Sequence, residues 1–218
     1  MLEIGSGTGQ ATGDLLRRSA RVAAVEPGRA LFDVARRRLA DLPNVEHVNA
    51  SFEELAVEPG SFDVVASFTA WHWLDPGVRA PKAAAALRPG GALVTVATRH
   101  VAGGTEAFFV AAQECYERWD PSTPPGLRLP AADDVPPAAD EVDAGELFEP
   151  ATFHRYEWEQ SYSTAGYLDL LRSYSGHRAL GPERRERLLA CIGELIDRRH
   201  GARIVKRYLN EMRIARRR

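Results

Sequence analysis

Three glycines near the amino terminus have the type and spacing needed to bind a nucleotide-like ligand. Gly5, Gly7 and Gly9 stand at alternate positions directly after the short apolar stretch of residues 1–4, which also contains the acidic Glu3. Glycine is required where a backbone turns sharply and a ligand comes close, because a Cβ atom would clash there. A strand, a glycine-rich turn and a helix in this order place backbone N–H groups at the mouth of a nucleotide-sized crevice.

A second carboxylate has the position expected of a ribose ligand. Glu26 ends the apolar stretch of residues 22–25 and lies 21 residues after Gly5. An acid at this strand end accepts hydrogen bonds from the two ribose hydroxyls in nucleotide-binding α/β folds. A carboxylate suits this role because it only accepts hydrogen bonds and can take two donors at once. A glutamate before Pro27 and Gly28 is otherwise a solvated turn residue, but its distance from the glycine turn favours the ribose role.

The glycine spacing separates two classes of cofactor. A dinucleotide fingerprint reads Gly-x-Gly-x-x-Gly, and that frame places Gln10 where the third glycine is required. An NAD(P)-dependent oxidoreductase therefore stays as an alternative only.

Four segments in order resemble the core of the class I S-adenosylmethionine (SAM)-dependent methyltransferases. The first is Glu-x-Gly-x-Gly-x-Gly at residues 3–9, and the others are FDVV at 62–65, HW at 72–73 and LRPGG at 87–91. The resemblance covers residues 1–100 closely and the remainder more loosely. It implies a SAM cofactor and a doubly wound α/β fold. The implied sheet has seven mostly parallel strands with an antiparallel pair at its carboxyl end.

The resemblance also implies roles for individual residues. Glu3 is expected near the methionine end of SAM, and Glu26 at its ribose. The main chain of the glycine turn is expected to pass close to the cofactor, at Gly5, Ser6, Gly7 and Gly9. Ser51 and Phe52 stand where the family often has an Asp near the adenine amine, so Ser51 is expected to accept from the amine and Phe52 to flank the ring. A packing role for Phe52 is equally compatible with the sequence. The segment after the fourth strand, with Ser67, Thr69 and Ala70, is expected beneath the cofactor.

His72 is the side chain near this crevice that suits a general base at neutral pH. The competing interpretation is a structural or cofactor-packing histidine between Trp71 and Trp73, and those two rings are equally suited to the wall of a substrate pocket. The other histidines show no ligand spacing, so no metal is expected.

These residues predict a methyltransferase that acts on a small molecule. Transfer from a sulfonium is an in-line displacement, so the protein mainly aligns donor and acceptor and excludes water. The sequence does not separate acids, amines, phenols and carbon nucleophiles as acceptors. A non-catalytic or degenerate SAM-binding module remains a further alternative.

Composition narrows the class of protein. A formal charge of −2 gives no global attraction to nucleic acid or anionic membranes. No apolar stretch reaches the length of a membrane span, and no signal peptide is recognisable, so a cytoplasmic protein is expected. Cys115 and Cys191 are interpreted as free structural thiols. Oligomeric state is left open.

The elements that must position these residues are predicted from periodicity. Alternating strands and helices over the first hundred residues predict a parallel sheet, and the whole chain of 218 residues is predicted to be one domain. Residues 1–100 are expected to form its cofactor-binding core, and residues 101–218 to supply helices, an irregular segment and closing strands. A helix is expected over residues 106–119. The proline-rich segment 121–150 is expected to be irregular, either over the substrate side or as a surface loop.

Two side-chain stripes complete the expected packing. A helix after Glu26 is expected to face the sheet with Leu31, Val34, Ala35 and Leu39. Residues 153–162 and a later strand are expected to form the antiparallel pair. In the later strand one face should carry Ile204, Tyr208, Met212 and Ile214.

Both ends of the chain carry expectations. The family usually has helices ahead of its glycine motif, whereas the central strand begins here at Met1, which predicts an exposed apolar patch if those helices are missing. At the other end, Arg213 and Arg216–Arg218 are interpreted as a solvated charged end rather than an RNA contact.

Overall fold

The computed structural model describes residues 1–18 and 21–218. These residues form strands and helices in the order β1 (Leu2–Ile4), α1 (Gln10–Leu16), β2 (Val22–Val25), α2 (Arg29–Arg38), β3 (Val45–Val48), β4 (Phe62–Phe68), α3 (Pro76–Ala86), β5 (Leu87–His100), α4 (Glu106–Trp119), α5 (Glu141–Ala144), β6 (Thr152–Ser163), α6 (Thr164–Ser173), α7 (Ser175–Ala179), α8 (Pro182–Arg199) and β7 (Arg203–Arg216), with short 3₁₀ turns at Trp71–Trp73 and Ala132–Asp134.

The strands form one seven-stranded sheet in the order β3-β2-β1-β4-β5-β7-β6. Strands β1 to β5 pair in parallel, with Ile4 opposite both Val25 and Ser67. The sheet ends in an antiparallel carboxyl-terminal pair. The doubly wound α/β fold expected from the sequence is confirmed.

The described residues pack as two compact units. The first unit contains Met1–Thr98, Pro137–Arg155 and Asn210–Arg218, and the second contains Arg99–Pro136 and Tyr156–Leu209. Strands β5, β6 and β7 contribute residues to both. Each unit has its own apolar core. The assignment of the whole chain to a single domain stays a prediction.

The central strands of the first unit are buried on both faces, with Leu2 and Ile4 of β1 on one face and Glu3 on the other. Leu2, Ile4, Val25 and Val65 are all buried in its core. Strands that are covered on both sides read as continuous apolar runs, since neither face is left to solvent. This burial fixes β1 and with it the position of the glycine turn that follows.

The expected packing stripe of α2 is wrong at two positions. Leu31 and Val34 are 45% and 37% exposed, whereas Phe32, Ala35 and Leu39 are buried. Positions 32, 35 and 39 lie on one helical face, and the larger ring of Phe32 takes the place that the sequence assigned to Leu31.

Helix α3 begins at a local start signal. Asp75 caps it by accepting a hydrogen bond from the N–H of Gly77 at 2.8 Å, and Pro76 occupies the first turn. Helix α4 has the bounds expected from the sequence.

The interpretation of the cysteines as free thiols is wrong. Cys115 of α4 and Cys191 of α8 form a disulfide in the core of the second unit, with their Cα atoms 5.9 Å apart. The two cysteines are 76 residues apart in the chain, so their spacing does not indicate the pairing. The two helices pack against each other and bring the cysteines within bonding reach.

The buried side of the closing strand changes along its length. Up to Tyr208 the buried residues of β7 stand at even positions, such as Ile204. From Leu209 onward they stand at odd positions, so Met212 and Ile214 are only half-buried. Successive strand residues point to opposite faces, so the buried side changes halfway along the strand. In the partner strand, β6, the ring of Trp158 stacks on Tyr208 with centroids 4.5 Å apart.

Candidate functional site

The glycine turn after β1 has three glycines with left-handed backbone. Gly5, Gly7 and Gly9 have φ angles of 70°, 57° and 78°. The N–H groups of Gly5 and Ser6 both donate to the carbonyl of Val25, at 2.9 and 3.0 Å, which ties the turn to β2. Only glycine adopts this backbone without strain at three nearby positions.

The three glycines differ in what a side chain would meet. A Cβ on Gly5 would clash with the Cβ of Ala70, and one on Gly9 would lie 2.8 Å from Leu39 Cδ1. A Cβ on Gly7 would meet no atom within 4 Å. Gly5 and Gly9 are therefore needed for internal packing, whereas Gly7 faces a space that a ligand can fill.

Glu26 links the glycine turn to the start of α2. Its Oε2 accepts the N–H of Gly7 at 2.9 Å, and its Oε1 accepts the N–H of Gly28 at 2.8 Å. The residue is nearly buried. Each carboxylate oxygen has a second lone pair, so the group retains capacity for ribose hydroxyls.

Glu3 is buried without a cationic partner. It is 1% exposed, and its Oε2 has no hydrogen-bond partner among the described residues. Burial raises the pKa of this carboxyl from 4.5 to about 7, and the nearby Thr12 hydroxyl opposes that shift only in part. A buried acid of this kind is stabilised when a cation binds beside it.

Ser51 and Phe52 follow β3 in the chain, after Asn49 and Ala50. The Ser51 hydroxyl donates to Glu54 Oε2 at 3.0 Å and accepts the N–H of Glu54 at 3.2 Å, which closes a local turn. Phe52 is 1% exposed and belongs to the core of the first unit, with the Lys82 ammonium 5.5 Å from its ring centroid. The ring therefore has the packing role that the sequence allowed, and contact with an adenine ring stays a prediction.

The segment after β4 approaches the glycine turn. Ser67 is buried and donates to the carbonyl of Ile4 at 3.2 Å, across the β1–β4 pair. Thr69 has a φ of 56° and donates its N–H to the carbonyl of Val96 at 2.7 Å. A β-branched residue in left-handed backbone costs on the order of 1–3 kcal/mol and is typical of functional sites. The next residue, Ala70, closes against Gly5.

His72 lies in the exposed 3₁₀ turn that follows. Its ring centroid is 4.9 Å from that of Trp73, which is 70% exposed, whereas Trp71 is buried. The histidine is thus not enclosed between the two tryptophans. The structure brings the predicted residues of the glycine turn, Glu26 and Ala70 together in the first unit, and His72 follows two residues later.

A charged network around residues 137–144 was missed by the sequence reasoning. Arg79 of α3 binds Glu141 through two hydrogen bonds of 2.5 and 2.8 Å and donates to the carbonyl of Trp71 at 2.7 Å. The Trp71 indole donates to Asp140 Oδ2 at 3.0 Å. The only sequence signal was the acidic run from Asp140 to Asp143, which has no periodicity.

Arg213 completes this network and corrects the interpretation of the carboxyl terminus. It is 3% exposed and binds both Asp140 and Asp143, the latter at 2.9 Å. Burial alone would raise the pKa of Asp140, but Arg213, the Val142 N–H and the Trp71 indole together hold it below its usual value. The prediction of a solvated charged end is therefore wrong for Arg213, although Arg216 and Arg218 are exposed.

Neither a metal centre nor a membrane span is found in the described part of the chain. Among residues 1–18 and 21–218, no cluster of three or more His, Cys, Asp or Glu side chains is arranged to hold a metal ion. Over the same residues, no helix is long and apolar enough to cross a membrane.

The part of the chain that contains these residues is similar to known proteins. Residues 2–95, which contain the glycine turn, Glu26 and the segment after β4, match the family described as a methyltransferase domain. An uncharacterized methyltransferase of Mycobacterium tuberculosis (strain H37Rv) is 40% identical over 93 residues. That alignment covers 43% of this chain and only 37% of the relative.

Solved structures resemble nearly the whole chain. A candidate type II methyltransferase from Anaeromyxobacter dehalogenans has 26% identity and a TM-score of 0.64, covering 99% of this chain and 88% of that one. Geranyl diphosphate C-methyltransferase from Streptomyces coelicolor, solved with S-adenosyl-L-homocysteine, has 16% identity and a TM-score of 0.51, covering 99% and 68%. At 16% identity, the similarity to the second structure shows a shared fold only.

The chain has the fold of the SAM-dependent methyltransferases, and its residues 2–95 are similar to the methyltransferase domain family.

Proposed function

We propose that this protein is a SAM-dependent methyltransferase that acts on a small-molecule acceptor. The observation that carries the proposal is the pairing of an open space over Gly7 with the buried, cation-free Glu3 on the strand that leads into the same turn. The two features match the needs of the cofactor, since SAM presents a cationic amino group on its methionine end and requires close backbone approach along its length.

The residues of the first unit fit this cofactor. Glu3 would face the amino group of SAM, and Glu26 would accept hydrogen bonds from the ribose hydroxyls. The main chain of the glycine turn would lie close to the cofactor at Gly5, Ser6, Gly7 and Gly9. Ser51 and Phe52 are proposed at the adenine, and Ser67, Thr69 and Ala70 beneath the cofactor. When bound, SAM supplies a methyl group attached to a sulfonium sulfur. The neutral thioether that departs when the methyl is transferred is a good leaving group.

The residues of this chain would contribute by holding and orienting the cofactor. The hydrogen bonds of Glu26 to Gly7 and Gly28 fix the turn before a ligand binds, so little ordering is left for the binding step. A preformed turn of this kind supports in-line transfer, in which correct alignment supplies much of the rate enhancement.

His72 is proposed as the general base for an acceptor that must lose a proton. Its exposed position at the end of the segment after β4 leaves the imidazole accessible to an acceptor. An imidazole titrates near neutral pH and so suits this role. A packing role beside Trp73 is the alternative.

Calorimetric titration with SAM, with its demethylated product and with NADH tests the cofactor assignment. We expect saturable binding of the first two and none of NADH. Absence of heat and of a thermal shift with SAM contradicts the proposal, and tight NADH binding supports the oxidoreductase alternative. SAM binding without release of demethylated product, across acids, amines, phenols and carbon acids as acceptors, supports a non-catalytic module. A cytoplasmic location and the absence of nucleic-acid partners stay predictions.

A further inference from the structure

The disulfide of the second unit forms part of the wall of a surface pocket. The pocket has a volume of about 410 Å³ and lies between facing sides of α4 and α8. On α8 its lining residues recur at positions 191, 194, 195, 198 and 199, which is the spacing of one helical face. Both Cys115 and Cys191 are among its lining residues.

The pocket carries three guanidinium groups. Arg118, Arg198 and Arg199 line it together with two glutamates, which leaves an excess of positive charge. Among the ion pairs formed by residues 1–18 and 21–218, none involves these three arginines. Arg118 instead lies over the Trp119 ring, 5.1 Å from its centroid. The arginines therefore have donors available for an anionic ligand.

The same charges favour thiol chemistry at the disulfide. Nearby cations stabilise a thiolate, which is both the nucleophile and the leaving group of thiol–disulfide exchange. Cys115 is buried, whereas Cys191 is half-buried, so an incoming thiolate reaches the sulfur of Cys191 more readily.

We propose that this pocket binds a small thiol that carries carboxylates, and that this thiol exchanges with the disulfide at Cys191. Its thiolate attacks the Cys191 sulfur, the sulfur–sulfur bond breaks, and the electron pair leaves on Cys115 as a thiolate. The product is a mixed disulfide between Cys191 and the small thiol. A second small thiolate attacks the small-molecule sulfur of that adduct, releasing the Cys191 thiolate and the oxidised small thiol.

The test compares two thiols on the oxidised full-length protein. Glutathione carries two carboxylates, whereas cysteamine carries none, and the intrinsic reactivity of each is normalised on an unhindered small disulfide. Acid quenching and intact-mass measurement follow the mixed disulfide. We expect glutathione to react about tenfold faster than cysteamine after normalisation at low ionic strength, and this advantage to fall at high salt.

Arginine variants separate a binding pocket from simple accessibility. The double variant Arg198→Gln and Arg199→Gln should reduce glutathione to the normalised rate of cysteamine. Arg184→Gln, on the same helix but outside this pocket, should leave the advantage unchanged. Equal normalised rates in the unmodified protein, or the same loss in the Arg184 variant, would show that the disulfide is a structural crosslink only.

A cysteine variant tests the point of attack. Cys115→Ser removes the residue that displaces the small thiol, so oxidised glutathione should form a lasting adduct on Cys191. Circular dichroism establishes that the variant is folded before it is used. A folded variant that takes up no glutathione contradicts attack at Cys191.

Discussion

Two sites of the first unit differ in the charges that surround their acidic side chains. In the glycine turn, Glu3 is buried beside no cation, and burial raises its pKa to about 7. In the segment 137–144, Asp140 and Asp143 face Arg213, and the pKa of Asp140 lies below its usual value. The contrast separates an acid that we propose to bind a cationic cofactor from acids that hold the fold together.

The two sites should respond to pH with opposite signs. The folded pKa of Glu3 exceeds its unfolded value, so its burial costs stability as the pH rises through the unfolded pKa, and the full cost is present above about pH 7. Asp140 has a lowered folded pKa, so it stabilises the fold above its unfolded pKa, and this stability is lost as the pH falls through the folded pKa. A cation bound at Glu3 would remove the cost.

The largest expected effect is at the paired site. Arg213→Met leaves Asp143 without its cation and weakens the hold on Asp140, so the free energy of unfolding should fall by about 3–5 kcal/mol. Urea unfolding at neutral pH measures it. Arg88→Met is the matched control, because the Arg88–Asp63 pair is exposed and should contribute less than about 1 kcal/mol. Similar losses in the two variants would contradict a structural role for the buried network.

The next effect concerns the open space over Gly7. Gly7→Val should reduce SAM affinity by at least about 100-fold, which corresponds to roughly 2.7 kcal/mol, because the side chain fills the ligand's space. Calorimetric titration measures the change.

Gly90→Val controls for backbone strain in that experiment. Gly90 has a φ of 73°, and a Cβ added there would meet no atom within 4 Å, as at Gly7. The Gly90 variant should lose comparable stability and bind SAM normally. Wild-type affinity in the Gly7 variant would refute the assignment of the glycine turn.

Glu3→Gln should lower the affinity for SAM and raise the stability of the fold near pH 8. Removing the ionisable group should raise the free energy of unfolding by about 2 kcal/mol near pH 8 and leave it nearly unchanged below about pH 4, where the wild-type carboxyl is largely protonated in both the folded and the unfolded protein. SAM affinity should fall about tenfold near pH 8. In the wild type, affinity should weaken as the pH falls below about 7, and the variant should lack this dependence. A pH-independent wild-type affinity would remove Glu3 from the cofactor site.

The smallest expected effect is at His72. Because the ring is exposed and lies against Trp73, His72→Ala should change SAM affinity by less than about twofold. Equilibrium titration alongside Glu26→Gln, which removes a ribose acceptor, gives the comparison. A loss at His72 as large as that at Glu26 would indicate packing against the cofactor rather than a role toward the acceptor.

Much of the first unit was predictable from local sequence. The strands at residues 45–48 and 62–68 and the cap at Asp75 each depend on neighbours in the chain, as does the helix from Glu106 in the second unit. The glycine turn was predictable for the same reason, since left-handed backbone at alternate positions selects glycine. The chain alone did not reveal that Gly5 and Gly9 serve packing and that Gly7 is the open position, because Ala70 and Leu39 reach them from elsewhere.

The errors share a physical cause. Leu31, Cys115 and Arg213 were each assigned from local pattern, and their environments are set by distant residues. The partner of Cys115 is 76 residues away, and Arg213 lies 70 residues beyond Asp143. Pattern along a strand or helix identifies which residues share a face, but not which face is covered at each point, as β7 shows with its change of buried side at Leu209.

The amino-acid sequence by itself determined the alternation of strands and helices over the first hundred residues, the glycine turn and the acid at the end of β2, because backbone conformation and short-range spacing depend on residue type. Only the tertiary structure decided that Glu3 lacks a cation while Asp140 and Asp143 have one, and that the two cysteines are joined. The charge state of a buried acid and the bonding of a thiol are set by the groups that folding brings within a few ångströms of it, and these come from remote parts of the chain.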